Sequence, residues 1–540
     1  MLHLNLQGLR DRGAWEAAGI ALPKYDIPAM RARTEQAPAW VHFGAGNLFR
    51  GFLAAAQQTL LDQGAAETGI LAAESFDFQI IDQVYIPYDD LSLLVRMKAD
   101  GTSSKAVIAS VAGGLKADCT GGDWARLREI FQAPSLQMAS FTITEKGYAL
   151  TGLAGEPLPV VVRDWDAGPD APRHTMSIAA SLLYSRFQAG GAPIAMVSMD
   201  NCAQNGKRLR DGVLAIACGW TERGLVPAAF LDWLKDPVHV SFPWSMIDKI
   251  TPHPSQRVKE ELEALGLSGM TISRTNTGTQ IAPFVNTELT EYLVLEDAFP
   301  NGRPALERAG VYLTGRDTVE KAEKMKVGTC LNPLHTALAV YGCLLGCASI
   351  AAEMRDRELR ALVEHIAEES LPVVEDPGIL SPRAFIHEVL NERFPNPAIP
   401  DTPQRIAADT SQKLPVRYGG TLRRYAERPE LDVSALVYAP LVFAGWCRYL
   451  LGVDDRGEEM PVSPDPMAPQ LQDHLAGIRL GEPESCTEQL RPILSNAALF
   501  GVDLYAAGLG ERTEEMFRSM LAGPGAVRST LRRYLPLGRA

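Results

Sequence analysis

The chain predicts an α/β protein, with an N-terminal Rossmann-like domain built on a mostly parallel sheet and a mostly α-helical C-terminal domain. Three observations carry this. An apolar run at 39–43 passes directly into Gly44-Ala-Gly46 and then into a helical pattern from Leu48 to Leu61. Further short apolar runs alternate with helical patterns as far as residue 199, which is the signature of a parallel sheet covered on both faces. Beyond about residue 285 strand-like runs nearly vanish and long segments of helical period take over. The expected domains are therefore 1–285, Rossmann-like and nucleotide-binding, and 286–540, helical and substrate-binding. A chain of 540 residues is too long for one core in any case.

In chain order, the predicted strands fall at 39–43, 70–76, 106–111, 138–143 and 194–199, with helices at 122–132 and 174–189 between them. The helical half is expected to comprise 333–352, 357–370, 382–393, 434–451, 484–495 and 511–522, with proline- and glycine-rich connections at 371–381 and 460–469.

Composition excludes several classes of function. A net charge of −13 leaves no basic excess to neutralise phosphates, so neither nucleic acid nor an anionic membrane surface is an expected partner. No run of some 18 uncharged apolar residues exists, and the first residues lack the charged and apolar regions of a secretory signal, so a cytoplasmic protein is expected. The eight cysteines are scattered without a CxxC pair. Reduced thiols and no metal site are the expectation.

The glycine turn has a mechanical reading. Gly44 permits the tight turn, and Gly46 lets a pyrophosphate approach the backbone at the helix N-terminus. Asn47 and Arg50 lie within reach of the same phosphates, although Arg50 reads equally as a surface arginine. Asp77, about thirty residues further on, is the expected partner of the ribose hydroxyls, with Glu74 as its rival. A carboxylate there repels a 2′-phosphate, so NAD rather than NADP is the expected cofactor.

Polar groups cluster after apolar strands at Thr142-Ile-Thr-Glu145, at Asp200-Asn201 with Asn205-Gly206, and around Asp248. The densest cluster is Lys326-Val-Gly-Thr-Cys-Leu-Asn332-Pro-Leu-His335, which precedes a long apolar run. Asn332 before Pro333 reads as an N-cap with proline at the first helical position, which puts His335 in the first turn, on the same face as Asn332. A lysine near a helix N-terminus loses proton affinity and so suits acid/base work.

Together these motifs resemble the polyol-specific long-chain dehydrogenases, a family that includes mannitol 2-dehydrogenases and the fructuronate and tagaturonate reductases. The resemblance runs from about residue 38 to 450. It is carried by Gly44-x-Gly46, Thr-Ile-Thr-Glu145-x-Gly-Tyr148, Asp200-Asn201, Ser-Phe-Pro-x-x-Met-Ile-Asp248-Lys-Ile-Thr-Pro252, Leu-Glu296-Asp297-x-Phe-x-Asn301-Gly-Arg303-Pro and Lys326…Asn332-x-x-His335, in that order. It implies zinc-independent hydride transfer between NAD(H) and C2 of an open-chain polyol or sugar acid, in a monomer or small homo-oligomer. It implies that Lys326 is the general acid/base, that Asn201 and Asn332 hydrogen-bond the reacting oxygen, and that His335 orients the substrate and the lysine. It further implies Asp248, Arg405 and Lys413 as substrate ligands and Glu323 and Glu145 as proton-relay partners. This chain departs from the family pattern in an extra residue between lysine and asparagine, in Pro333 where a glycine is usual, and in Leu48-Phe49 where Phe-His is usual. The extra residue is expected to bulge. The uronate branch is the nearer resemblance, so D-fructuronate/D-mannonate is the expected substrate pair, with mannitol/fructose second and tagaturonate as a further alternative. A non-catalytic sugar sensor would have lost the acid/base group, which is present.

Overall fold

A computed structural model describes residues 1–152 and 154–535. The chain divides into two compact units, one formed by Met1–Lys98 and Thr102–Glu320, the other by Ala99–Gly101 and Lys321–Ala540.

The first unit is organised by a six-stranded sheet: β1 (Trp40–Phe43), β2 (Ile70–Glu74), β3 (Val111–Lys116), β4 (Met138–Phe141), β5 (Ile194–Ser198) and β6 (Val240–Ser241). Their order across the sheet is β3-β2-β1-β4-β5-β6, and every pairing is parallel. This is the strand order of doubly wound dinucleotide-binding sheets, in which ligands bind beyond the carboxyl ends of the strands where the order reverses, here between β1 and β4. The strands are short apolar runs because both faces are covered. Val41, Phe43, Leu71, Ala73 and Phe141 pack into one core, while Trp40, Ile70, Ala72 and Met138 pack into another on the opposite face. That alternation is the two-residue period of a strand, and each such large apolar side chain contributes about 1.5–3 kcal/mol by leaving water.

Two smaller sheets and two two-stranded pairs, Leu2–His3 with Leu267–Ser268 and Ser273–Arg274 with Gln280–Ile281, complete the unit. One sheet joins Phe284–Glu288, Ser92–Met97, Ser103–Ile108 and Ile20–Ala21; the other joins Ser245–Asp248, Tyr292–Glu296 and Tyr312–Thr314. The expected boundary at 285/286 is thereby corrected to 320/321. The reason is pairing at long range: Phe284–Glu288 lies in register with Leu93–Met97, some 190 residues earlier. The predicted strand at 106–111 is likewise two strands, Ser103–Ile108 and β3, in different sheets.

The second unit is helical. Its frame includes α1 (Asn332–Leu344), α2 (Arg357–Ser370), α3 (Tyr438–Tyr449) and α4 (Gly510–Met520). Two apolar helices meet closely where Gly445 faces Tyr341. A Cβ at Gly445 would come within 2.6 Å of the Tyr341 ring, and the Tyr341 hydroxyl donates to the Leu441 carbonyl at 2.7 Å. The helix expected over 484–495 is absent. Only a short turn at Pro483–Ser485 and one helical turn at Arg491–Leu494 form. Thr487 instead donates to Gln489 Oε1, a local side-chain bond that competes with the helix ladder.

Candidate active site

The nucleotide turn is held from below. Gly44 has φ +101°, and a Cβ there would stand 2.1 Å from the Thr142 carbonyl oxygen, so no side chain fits. A Cβ at Gly46 would meet nothing within 4 Å, which leaves the backbone open to an approaching phosphate. The helix that follows starts with a π-helical turn, Phe49–Leu53, before Ala54–Asp62. His42 is buried beneath the turn between the Ser140 and Thr142 hydroxyls (2.6 and 2.8 Å) and stacks on Phe49; burial pushes its pKa down to about 3, so it is neutral.

Four of the predicted cofactor side chains have other partners. Arg50 is 1% exposed; it donates to the Ala282 carbonyl and to Asn47 Oδ1. Its guanidinium is not on the surface that a phosphate would meet, which corrects the expected phosphate contact and makes it a fastener of the turn. Asn47 in turn donates to the Pro252 carbonyl at 3.3 Å. Glu74 spends one oxygen on the Ala45 N–H and the other on the N–H groups of Ser75, Phe76 and Asp77, so it ties the end of β2 to the glycine turn. Asp77 accepts from the Thr275 and Thr277 hydroxyls. Between the two carboxylates Phe76 stands 78% exposed, a large apolar surface at the end of β2 that the sequence reading passed over.

Beyond β4 and β5 one buried carboxylate organises the polar loops. Asp200 accepts from the Ile143 and Thr144 N–H groups (2.8 and 2.9 Å) and from the Tyr148 hydroxyl (2.6 Å). Thr144 is thereby held at φ +62°, in the left-handed region that a β-branched residue rarely adopts. Asn205 is wholly buried and bonds both the Asp200 carbonyl and Ser245. Asn201 is exposed on the bend between them, and Asp248 is buried at the end of its strand, opposite Tyr292. Glu145 faces outward and pairs with Arg208 at 2.8 Å. A cavity of about 750 Å³ in this unit, lined by Lys207, Arg210, Trp244 and Arg316 among others, includes Gly206 and Glu296 of the sequence motifs but none of the predicted catalytic, substrate or cofactor residues.

The helix Arg316–Met325, which begins in the first unit and carries Glu323 in the second, runs straight into a π-helical turn at Lys326–Cys330. Such turns recur at functional positions. Lys326 is 2% exposed. Leu331 breaks the helix with φ −133° and serves as the N-cap of α1, with Asn332 at the first helical position and Pro333 at the second. The expected N-cap role of Asn332 is corrected by one position, since Leu331 stands alone between the π turn and the helix. Asn332 and His335 do share the first turn, where the His335 N–H donates to the Leu331 carbonyl at 3.0 Å.

His335 Nε2 lies 3.4 Å from Asp401 Oδ2, and the Arg405 Nε–H donates to Asp401 Oδ1 at 2.7 Å. Burial lowers the His335 pKa, and the aspartate offsets only part of that. Lys413 donates to the Ile406 and Ala408 carbonyls, and burial lowers its pKa to about 8. Arg417 donates to Thr336 and to the Asn332 carbonyl. Asp401 and Arg417 were missed by sequence reasoning. The only local cue to Asp401 is its place just before the Thr402-Pro403 helix start, four residues ahead of Arg405.

The strand order and the glycine turn define a dinucleotide-binding dehydrogenase domain joined to a helical unit that carries a buried lysine. Comparison with known proteins makes this specific: the Mannitol dehydrogenase Rossmann domain matches residues 38–308 and the Mannitol dehydrogenase C-terminal domain matches 318–520, so the chain belongs to the mannitol dehydrogenase family. It is 54% identical to D-mannonate oxidoreductase of Thermotoga maritima over 98% of both chains. It is 29% identical to mannitol 2-dehydrogenase of Cereibacter sphaeroides over 96% of this chain and 99% of that one. Among solved structures, the Pseudomonas fluorescens mannitol 2-dehydrogenase ternary complex with NAD and D-mannitol superposes with a TM-score of 0.71, at 27% identity, covering 98% of this chain and 99% of that one.

Proposed function

We propose that this chain catalyses the NAD(H)-dependent interconversion of D-fructuronate and D-mannonate. The observation that carries the choice of substrate is 54% identity, over nearly the whole of both chains, to a protein named D-mannonate oxidoreductase. The dinucleotide fits the residues present: Gly44 is blocked against any side chain while the space over Gly46 is open. Gly44, Gly46 and the helix start at Asn47 would hold the pyrophosphate, Asp77 or Glu74 would face the ribose, and Phe76 offers a face for the adenine. When bound, the cofactor supplies the hydride chemistry at C2.

The protein's own groups do the rest. In the reducing direction the Lys326 ammonium gives its proton to the C2 oxygen as negative charge develops there. Asn332, in the same unit, donates a hydrogen bond to that oxygen, worth roughly 3 kcal/mol of transition-state stabilisation. Asp248 accepts from a substrate hydroxyl, and His335 orients the chain of hydroxyls. Arg405 and Lys413 pair with the terminal carboxylate; Lys413 has two of its three N–H groups on backbone carbonyls, which leaves one for a ligand. Glu323, one helical turn before Lys326, returns the proton.

The test is a screen of NADH oxidation with fructuronate, tagaturonate and fructose, with Lys326→Ala alongside. Fructuronate is expected to give the highest kcat/KM, and Lys326→Ala to lower kcat by three orders of magnitude or more while NADH still binds. A preference for fructose would refute the substrate, and near-normal turnover in the variant would refute the lysine's role.

A further inference from the structure

The imidazole of His335 lies within a chain of contacts that the family pattern did not single out. Its Nε2 faces Asp401, which is 6% exposed and held on its other oxygen by Arg405. The Phe394 ring packs on the imidazole, with centroids 5.1 Å apart. The backbone of Asp401 is also anchored: its N–H donates to the Ile399 carbonyl and its own carbonyl accepts from Ile350 at 3.1 Å. Just beyond Ile350, in the same short helix, Glu353 is fully buried with neither carboxyl oxygen partnered. The charged and titratable groups acting on this imidazole and its partner are therefore Asp401, Arg405, Arg417 and Glu353.

We propose that Asp401 is a positioning residue for the reaction: it fixes His335 as the tautomer with its proton on Nε2, so that Nδ1 meets a substrate hydroxyl as an acceptor, and Arg405 holds the aspartate in place. This rests on the reading of His335 as a substrate-orienting residue. The chemistry follows from the donor inventory. A carboxylate only accepts, so the nitrogen facing it must carry the hydrogen, and in a neutral imidazole the other nitrogen is then a bare lone pair. Burial keeps the imidazole neutral near pH 7. For Asp401, burial alone would raise the pKa; the His335 and Arg405 contacts outweigh it and bring it below the usual carboxylate range, so the acceptor is ionised. Ser/His/Asp hydrolases use an aspartate in the same way to set a histidine's tautomer, without the aspartate taking the proton.

The experiment compares wild type, His335→Ala, Asp401→Asn and Asp401→Glu on fructuronate, reading kcat, KM, NADH affinity and the pH profile of kcat/KM. Asp401→Asn presents an N–H to Nε2, favours the wrong tautomer, and should lower kcat/KM by about 10–100-fold with NADH affinity unchanged. The acidic limb of its pH profile should move to lower pH, since the carboxylate that helped His335 hold a proton is gone. Asp401→Glu should recover to within several-fold of wild type. A His335→Ala enzyme of normal activity would defeat the underlying site reading. A silent His335 replacement aside, an Asp401→Asn enzyme of near-normal kcat/KM, or one whose loss comes with an unmoved acidic limb and no recovery in Asp401→Glu, would overturn the proposal itself. Should Asp401→Asn fail to fold, Asp401→Glu decides: a hundredfold loss in a folded glutamate enzyme with unchanged NADH affinity would count against it.

Discussion

At the scale of single residues, the titration of Lys413 offers a test of how the substrate carboxylate is bound. Burial brings this amine down to about pH 8, against 10.5 for a free lysine. The sign is then set. Below pH 8 the group is charged and offers its remaining N–H to an anion; above pH 8 it progressively loses the proton, and with it a charge-assisted bond worth roughly 1.5–3 kcal/mol. The native state gives up this proton before the unfolded chain does, so the same group makes stability rise with pH between 8 and 10.5. For catalysis, kcat/KM for fructuronate relative to neutral fructose is expected to fall about tenfold between pH 7 and pH 9.5. The ratio removes the contribution of Lys326, which serves both substrates. In Lys413→Met the ratio should be low and flat across that range. A ratio that holds steady with pH in the wild-type enzyme would place the carboxylate elsewhere.

At the scale of elements, the two glycines of the nucleotide turn are expected to behave differently although they are two residues apart. Gly44→Ala forces a Cβ against a carbonyl oxygen at 2.1 Å in a left-handed conformation, so it should cost well over 2 kcal/mol of stability or prevent folding. Gly46→Ala meets open space and should leave thermal unfolding within a few degrees of wild type. Its methyl group stands where a phosphate would approach, so the Kd for NADH, measured by fluorescence titration, should rise tenfold or more. Unchanged affinity would remove Gly46 from the cofactor site. This turn was readable in advance because its cause is local: an apolar strand, two glycines and a helix in direct succession. A bulge between Lys326 and Asn332 was an expectation of the same local kind, and that stretch holds a π turn at Lys326–Cys330. Three other features had no local cause to read. The strand at Phe284–Glu288 exists through a partner about 190 residues away. Arg50 is buried because Ala282, 232 residues on, offers it a carbonyl. Asp401 meets His335 across 66 residues of chain, a separation over which residue spacing carries no signal.

At the scale of the whole molecule, the two units are held together internally by contacts of very different sequence separation, and folding kinetics should report it. The first unit is tied by distant pairs: Leu2 with Leu267 in neighbouring strands, Asn47 with Pro252, and Asp77 with Thr275. Its parallel sheet cannot form until loops of this size have closed. Much of the second unit is helical turns whose bonds span three to five residues, formed on a microsecond scale once neighbouring helices support them. The tryptophans separate the two signals, because Trp15, Trp40, Trp124, Trp165, Trp220, Trp233 and Trp244 belong to the first unit and only Trp446 to the second. After dilution from urea, far-ultraviolet circular dichroism should therefore regain most of its helical amplitude before tryptophan emission reaches its native value, with the emission phase on a scale of seconds or longer. NADH added during refolding should leave the early helical phase unchanged, since the glycine turn that would bind it belongs to the slower sheet. Coincident single-exponential recovery by both probes would show that the helical unit waits for the sheet, and that distance along the chain does not set the order of assembly.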